Sequence, residues 1–458
     1  MYIKHFDRFF SPLQWQVLRK VAQIADELNL RAFAVGGIVR DAVVRECVDS
    51  FKLDHLKTTA FPKDLDLVFD GAEQAGIKVA IALQRAFPEA KLQIHEKFQT
   101  AELLWQDFAM DMATARQETY AYAGANPEVI ATTLKDDLER RDFTINALAV
   151  QLDSELGTRG EIIDRFKGLQ DLANRQVRAI RAGSFEEDPR RLFRAARFAT
   201  RLNLAIAPET YAEIIATTAS GLHDAIGGAR LRAELHYTLA ESRASQMFAL
   251  LQDLGALRCI HPDLRLPDDG ANTRSNTFKY QWRRSQYWLK LINRLENSPS
   301  SKNHAQINAQ INALNPINLG VELLLSYLSP QISTQLDLGF SPEQKTRQIK
   351  LAELLANVSD LTNKSLKNSE ITQNLQKFDL QTLILAGVKC QPFQRRIIWR
   401  YLTQWRRIKS PLTGIDLQGL GYASGKQMGE ILQKLRGATL DGEITNQEEA
   451  ISYLRLPH

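Results

Sequence analysis

The hydrophobic period of this chain changes once, near residue 184, and that change limits the folds open to it. Before it, short apolar runs ("RAFAVGG" at 31–37, "DLDLVFD" at 64–70, "FAMDMAT" at 108–114) are interspersed with helical patterns, as in a unit of mixed strands and helices. After it, the spacing is that of amphipathic helices. "SFEEDPRRLFRAARFATRL" (184–202) opens with Ser184 as an N-cap, acids in the first turn and Pro189 early. The stretch 297–318, rich in Asn, Ser and Gln, reads as a flexible surface connection, and the last sixty residues are helical again. At 458 residues the chain exceeds one ordinary domain. The expected class is α+β, with a mixed sheet first and helices after it.

Within the first part, "FPKDLDLVF" (61–69) reads as a strand that spends two aspartates at alternate positions, although aspartate is a poor strand former. Alternate side chains share a face, so Leu65, Leu67 and Phe69 form an apolar side and Asp64 and Asp66 project together from the other. Two like charges held that close need a partner. Upstream, "AVGGIVRD" (34–41) carries an apolar strand into Gly36-Gly37 and then a helix. Such a turn lets backbone approach a ligand, its helix N-terminus offers N–H groups to phosphate, and Arg40 can add a charge-assisted contact. A plain turn and a pair of exposed strand-end aspartates account for either feature alone. Together they describe a place for two divalent cations about 4 Å apart beside a phosphate.

A third feature is "LERRDFTINALAV" (138–150), read as two arginines, Arg140 and Arg141, before a helix on which Asp142 and Asn146 share a face. An ordinary capped amphipathic helix has the same pattern. Residues 171–201 hold eight arginines and no lysine. That usage suits phosphates and base edges, and it equally suits a solvated face paired with Glu186, Glu187 and Asp188.

Taken in order, "GGIVRD", "DLD", "RRDFTINA" and "EEDPRRLFRAARF" resemble the class II tRNA nucleotidyltransferases and bacterial poly(A) polymerases of the DNA polymerase β superfamily. The resemblance is strong over 30–262 and resumes in "LTGIDLQGLGYASGKQMGEILQKL" (412–435). It implies a polymerase-β-like head over 1–183, a neck over 184–262, a body over 263–400 and a tRNA-binding tail over 401–458. It also implies template-independent addition of CCA, or part of it, to the 3′ acceptor end of tRNA from CTP and ATP with Mg²⁺. Asp64 and Asp66 match the catalytic metal-binding carboxylates, and Gly36, Gly37 and Arg40 fall at the triphosphate-binding turn. Arg140 and Arg141 match a nucleotide-binding pair, with Asp142 and Asn146 orienting the sugar or the strand. Asp188 and Arg191, one helical turn apart, match residues that read the edge of the incoming base; Arg194 and Arg197 match further nucleotide-binding positions. Asp111, on a neighbouring strand, matches an acidic position, and a strand-end aspartate bonded to Arg116 is the alternative.

The chain departs from the pattern in two places. Residues 46–60 look like an insertion. In 114–143, Arg116, Glu118 and Pro127 keep a familiar spacing, but "YAGAN" replaces a charged centre and resembles A-adding members. The product therefore stays open between CCA, CC, A and poly(A), with a catalytically silent RNA-binding protein as the alternative of another class. His223-Asp224 lacks the further His and Asp that a phosphohydrolase needs. Two segments, 279–294 and 393–409, are basic, aromatic and free of acids; their arginines either face water or track an RNA backbone. Three distant cysteines (Cys47, Cys259, Cys390), no apolar stretch near ~20 residues and no signal-like start point to the cytoplasm and away from a membrane.

Overall fold

The computed structural model describes residues 2–46, 61–119, 128–153, 160–221, 226–267, 277–296, 315–363 and 366–455. The insertion (save residue 46), the "YAGAN" tip, His223-Asp224 and most of the 297–318 connection lie outside them. The chain divides into two compact units, residues 1–234 with 241–262, and residues 235–240 with 263–458.

The first unit is built on one eight-stranded sheet in the order β1-β10-β9-β2-β3-β6-β5-β4. Its strands are β1 (Tyr2–Ile3), β2 (Arg31–Val35), β3 (Asp64–Asp70), β4 (Lys91–His95), β5 (Thr100–Trp105), β6 (Phe108–Thr114), β9 (Leu148–Leu152) and β10 (Gly160–Asp164). Only β3 and β6 run parallel within it, so the sheet is mixed as expected. A parallel pair needs a crossover, and helix Ala75–Ala86 leaves β3 to begin it. That helix lies so close to β6 that a Cβ on Gly76 would fall 2.7 Å from the Met112 carbonyl oxygen. Strands β7 (Arg116–Thr119) and β8 (Glu128–Ala131) form a separate antiparallel ribbon at the base of the undescribed tip.

Strand β3 has two characters. Leu65, Leu67 and Phe69 are buried on one face. On the other, Val68 is buried in a cluster with Phe33, Val35, Leu134, Leu138, Ala147 and Ala149. Further along, Asp70 is 1% exposed, bound bidentately by Arg31 (2.7 and 2.8 Å), and accepts the Leu134 amide. Only the N-terminal end of that face is accessible, with Asp64 exposed and Asp66 half-buried there.

Three local expectations change. Residues 138–150 are not a helix: Leu134–Glu139 is helical, Thr144–Asn146 makes a single 3-10 turn, and β9 follows. Residues 178–180 claim this backbone, with Thr144 donating to the Arg178 carbonyl and Ile180 to that of Asp142. Helix 184–202 is two helices, Ser184–Glu187 and Arg191–Leu202, and Ser184 is their first residue, following Gly183 at φ 76°. Pro189 forces the residue before it out of helical backbone, and Asp188 sits at φ −135°, ψ 90°. Residues 315–318, assigned to a flexible connection, start helix Pro316–Leu325, whose N-cap Asn315 accepts from the amides of Ile317 and Asn318. Past the main sheet, a two-residue strand, Ala205–Ile206, pairs in parallel with Gln176–Val177.

Among the described residues of the second unit every regular element is a helix. Its C-terminal part carries its own apolar cluster, including Leu412, Leu417, Leu435, Ala438, Ile444 and Ala450, and opens with Thr413 and Asp416 in a capping box.

A candidate active site at the open end of the central strands

Strand β2 ends at Val35 and the chain turns through Gly36 at φ +71° into helix Gly37–Glu46. A side chain here would be strained in backbone and crowded in space. A Cβ would fall 3.0 Å from Arg141 Nη1 and 3.7 Å from Asp66 Oδ2. The turn, Arg141 and the second aspartate therefore meet within one side chain's width.

Sheet register adds Asp111. It is the direct partner of Asp66 across the parallel β3–β6 pair, and Glu102 is its partner across β5–β6. Paired residues share a face, so Asp64, Asp66, Asp111 and Glu102 gather on one side of three adjacent strands. Arg116, the alternative partner for Asp111, is instead engaged by Glu118 (3.0 Å) and the Phe98 carbonyl (2.5 Å). Burial raises the pKa of Asp66, and Asp64 raises it further against the pull of Arg141. Burial, then Asp66, Glu102 and Asp64, push Asp111 up to about 6. The group is short of positive charge.

That deficit and the all-oxygen donors fit a hard divalent cation. Among the described residues no three acidic, histidine or cysteine side chains close into a cage. Mg²⁺ does not require one, because it is commonly held by one or two carboxylates with substrate phosphates and water. Asp64 and Asp66 would hold such an ion, with Asp111 beside them.

Behind the turn lies a buried network. Arg40 is 2% exposed and donates to Asn146 Oδ1 (2.5 Å) and Asp41 Oδ1 (2.7 Å). Asn146 donates to Asp142 Oδ1 (3.0 Å), and Arg194 Nε reaches Asp142 Oδ2 (2.6 Å). Burial works against the charge on Asp142, yet Arg194 and the Asn146 amide hold its pKa below the usual range. The guanidinium carbons of Arg40, Arg194, Arg197 and Arg201 all lie 5.2–5.9 Å from the centre of the Phe198 ring. Arg197 pairs with the buried Glu234 at 3.1 Å.

Other expected residues are arranged differently from the sequence reading. Asp188 precedes the helix that Arg191 begins, and it is bound bidentately by Arg190 (2.8 and 2.9 Å). Arg191 is 5% exposed and donates to Ser184 Oγ and to the Arg140 carbonyl (2.7 Å). Arg140 bridges Asp137 (2.6 Å) and Glu118 (2.9 Å), and Arg141 pairs with Asp137 at 3.2 Å. Gly37 begins its helix beside the Arg40 guanidinium. Sequence reasoning missed Asp137, fully buried beneath both arginines, and Phe198, the ring the arginines share. The first had an (i, i+3)/(i, i+4) spacing to Arg140 and Arg141 as its signal. The second was one aromatic in an arginine-rich helix.

Residues 32–178 match the poly A polymerase head domain, and residues 203–266 match a probable RNA and SrmB-binding site of polymerase A. An A-adding tRNA nucleotidyltransferase of Geobacter sulfurreducens is 30% identical over 94% of this chain and 46% of its own length. Another, of Halalkalibacterium halodurans, is 27% identical over 96% of this chain and 92% of its own. For several of the curated relatives it matches, the chain spans about half their length. A solved CCA-adding enzyme in an apo form superposes with a TM-score of 0.76 over 98% of this chain and 96% of that one; at 22% identity the likeness shows the fold. Over residues 32–178 and 203–266, then, the chain carries the head domain and the RNA-binding segment of poly A polymerases.

Proposed function

We propose that the protein extends the 3′ end of tRNA without a template, joining nucleotides from CTP and ATP to complete all or part of CCA. The observation that carries this is the placing of Asp64, Asp66 and Asp111 on one face at the foot of the Gly36 turn. Mg²⁺ held by Asp64 and Asp66 would supply activation of the attacking hydroxyl and neutralisation of the leaving pyrophosphate. The protein's own contributions are positional. Gly36 admits phosphate close to the backbone, and the first amides of helix Gly37–Glu46 point to it. Arg141, beside Asp66, is the cation best placed for the triphosphate. Arg40 holds Asn146, and through it Asp142, so that their remaining polar atoms orient the sugar. Arg191 acts as a positioning residue beneath Arg140, leaving Asp188, with Arg190 as its exchangeable partner, to meet the base edge. Arg194 and Arg197 fix this surface through Asp142 and Glu234. The reading places the protein with its tRNA substrate in the cytoplasm.

A second reading, addition of the terminal A alone, is favoured by two relatives that match over more than nine-tenths of this chain, each an A-adding enzyme. The uncharged "YAGAN" sequence agrees with it. Transcripts ending before CCA, after C and after CC, each given labelled CTP, ATP or both with Mg²⁺, separate the two. Completion of CCA on the shortest transcript establishes the first reading. One A added only after CC establishes the second, and no incorporation on any transcript rejects both.

A further inference from the structure

In the second unit, helices Phe278–Glu296 and Pro392–Thr403 enclose an open cavity of about 310 Å³ lined by Tyr287, Trp288, Pro392, Arg395, Arg396 and Trp399. Trp288 is its buried floor, 5% exposed, with its ring 4.8 Å from that of Trp399 at 44°. Gly387 sets the depth of that floor: a Cβ there would overlap Cζ3 and Cη2 of the Trp288 indole. The neighbouring arginines divide their work. Arg395 is spent on the fold, donating to the carbonyls of Gly387 (3.1 Å) and Cys390 (2.8 Å). Arg396 is exposed and has no hydrogen bond or ion pair among the described residues. Tyr287 stands 61% exposed beside it.

An exposed aromatic, a half-exposed indole over a rigid floor and an unpaired arginine answer to a flat ring carrying an anion. The volume lies at the lower end of the ~300–1,000 Å³ of small-ligand sites. Tyr, Trp and Arg also mark protein interfaces, but segments 279–294 and 393–409 hold eleven basic residues and no acid. That sign favours a polyanion. We propose that this cavity takes one unstacked base of the bound RNA, stacked on Tyr287 and Trp399 with a flanking phosphate on Arg396. It is a docking site outside the nucleotidyl-transfer centre and rests on the RNA-acting function proposed above. Every base offers a π-face, so the site tolerates sequence, and one stack of this kind is worth about a tenfold change in affinity.

The test is anisotropy of a labelled tRNA transcript ending in CC, titrated with full-length protein from 50 to 300 mM salt. Tyr287 and Arg396 are exposed, so substituting them leaves the core intact. Tyr287→Ala is expected to weaken binding about tenfold and Tyr287→Phe to restore it. Arg396→Gln is expected to weaken binding several-fold and to lower the slope of log K against log salt by about one phosphate. Unchanged affinity in Tyr287→Ala overturns the stacked base, whatever Arg396→Gln does. Unchanged affinity in both variants overturns the RNA site and leaves the surface to a protein partner. Transfer assays on the same samples keep the two proposals apart. Wild-type protein that binds tRNA through these residues but transfers nothing refutes the proposed function alone; transfer with an unchanged KM for tRNA in both variants refutes the cavity alone.

Discussion

The Nε of Arg194 lies 2.6 Å from Oδ2 of Asp142, and the other oxygen of that carboxylate accepts from Asn146, which in turn accepts from Arg40. One buried aspartate thus ties helix Arg191–Leu202 to the turn that follows β2. Removing it leaves Arg194, the Asn146 side-chain amide and the Phe143 N–H without their shared acceptor. Asp142→Ala is expected to lower unfolding free energy by about 2–4 kcal/mol and to cut transfer at the same time. Urea denaturation followed with both activity and circular dichroism checks this; an unchanged midpoint contradicts the linkage.

Gly36 separates backbone strain from chemistry. Its φ of +71° makes Gly36→Ala cost about 1–2 kcal/mol, and the added Cβ lies against Arg141 and Asp66. Transfer is expected to fall far more, by at least a hundredfold, with a raised KM for nucleotide. A variant that loses stability but keeps its rate would show that the turn does not touch the substrate.

Asp111 faces Asp66 and Glu102 across its two neighbouring strands. Asp111→Asn removes one of several like charges, so the protein free of divalent metal is expected to become slightly more stable, by at most ~0.5 kcal/mol because the side chain is only partly covered and water screens it. The Mg²⁺ concentration for half-maximal transfer is expected to rise several-fold. No change in metal requirement would leave Asp111 outside the metal site.

Lys389 gives the second unit a pH dependence. Its Nζ donates to the Ser326 carbonyl and hydroxyl and lies 4.0 Å from the centre of the Tyr327 ring, and burial pushes its pKa down to about 8. Above pH 8 the unfolded chain keeps this proton while the folded chain releases it, so stability rises with pH from there toward the ordinary lysine value. Burial pushes the adjacent Cys390 up to about 11, which opposes the rise above about pH 9, and Tyr327 is shifted upward as well. Between pH 8 and 9 the gain from Lys389 is about 1 kcal/mol. The urea midpoint of wild type is expected to climb across that interval, and that of Lys389→Met to stay level or fall.

Much of the architecture was legible because it follows period and spacing. The alternation in β3 put Asp64 and Asp66 on one face, and the shift at residue 184 marked the end of the main sheet. What local sequence does not carry is the neighbour. Nothing in "DLDLVFD" says that Asp70 is bound by Arg31 and fully buried while Asp66 is only half-buried, since α-helical cover from Leu134 and Leu138 decides it. Likewise "RRDFTINA" has helical spacing, but Arg178 and Ile180, more than thirty residues on, take its backbone. The arginines of 171–201 illustrate the same point. Arg181 and Arg190 pair with the nearby acids Glu187 and Asp188, whereas Arg194 and Arg197 find Asp142 and Glu234 at a distance.

The central claim is that Asp64 and Asp66 hold the metal of a nucleotidyl transfer. The most direct measurement is single-turnover transfer from labelled ATP to a CC-ended tRNA by Asp64→Ala and Asp66→Ala, with tRNA affinity measured on the same preparations. Loss of at least a thousandfold in rate with tRNA affinity held within threefold is the predicted result. Transfer at the wild-type rate by either variant would contradict the assignment.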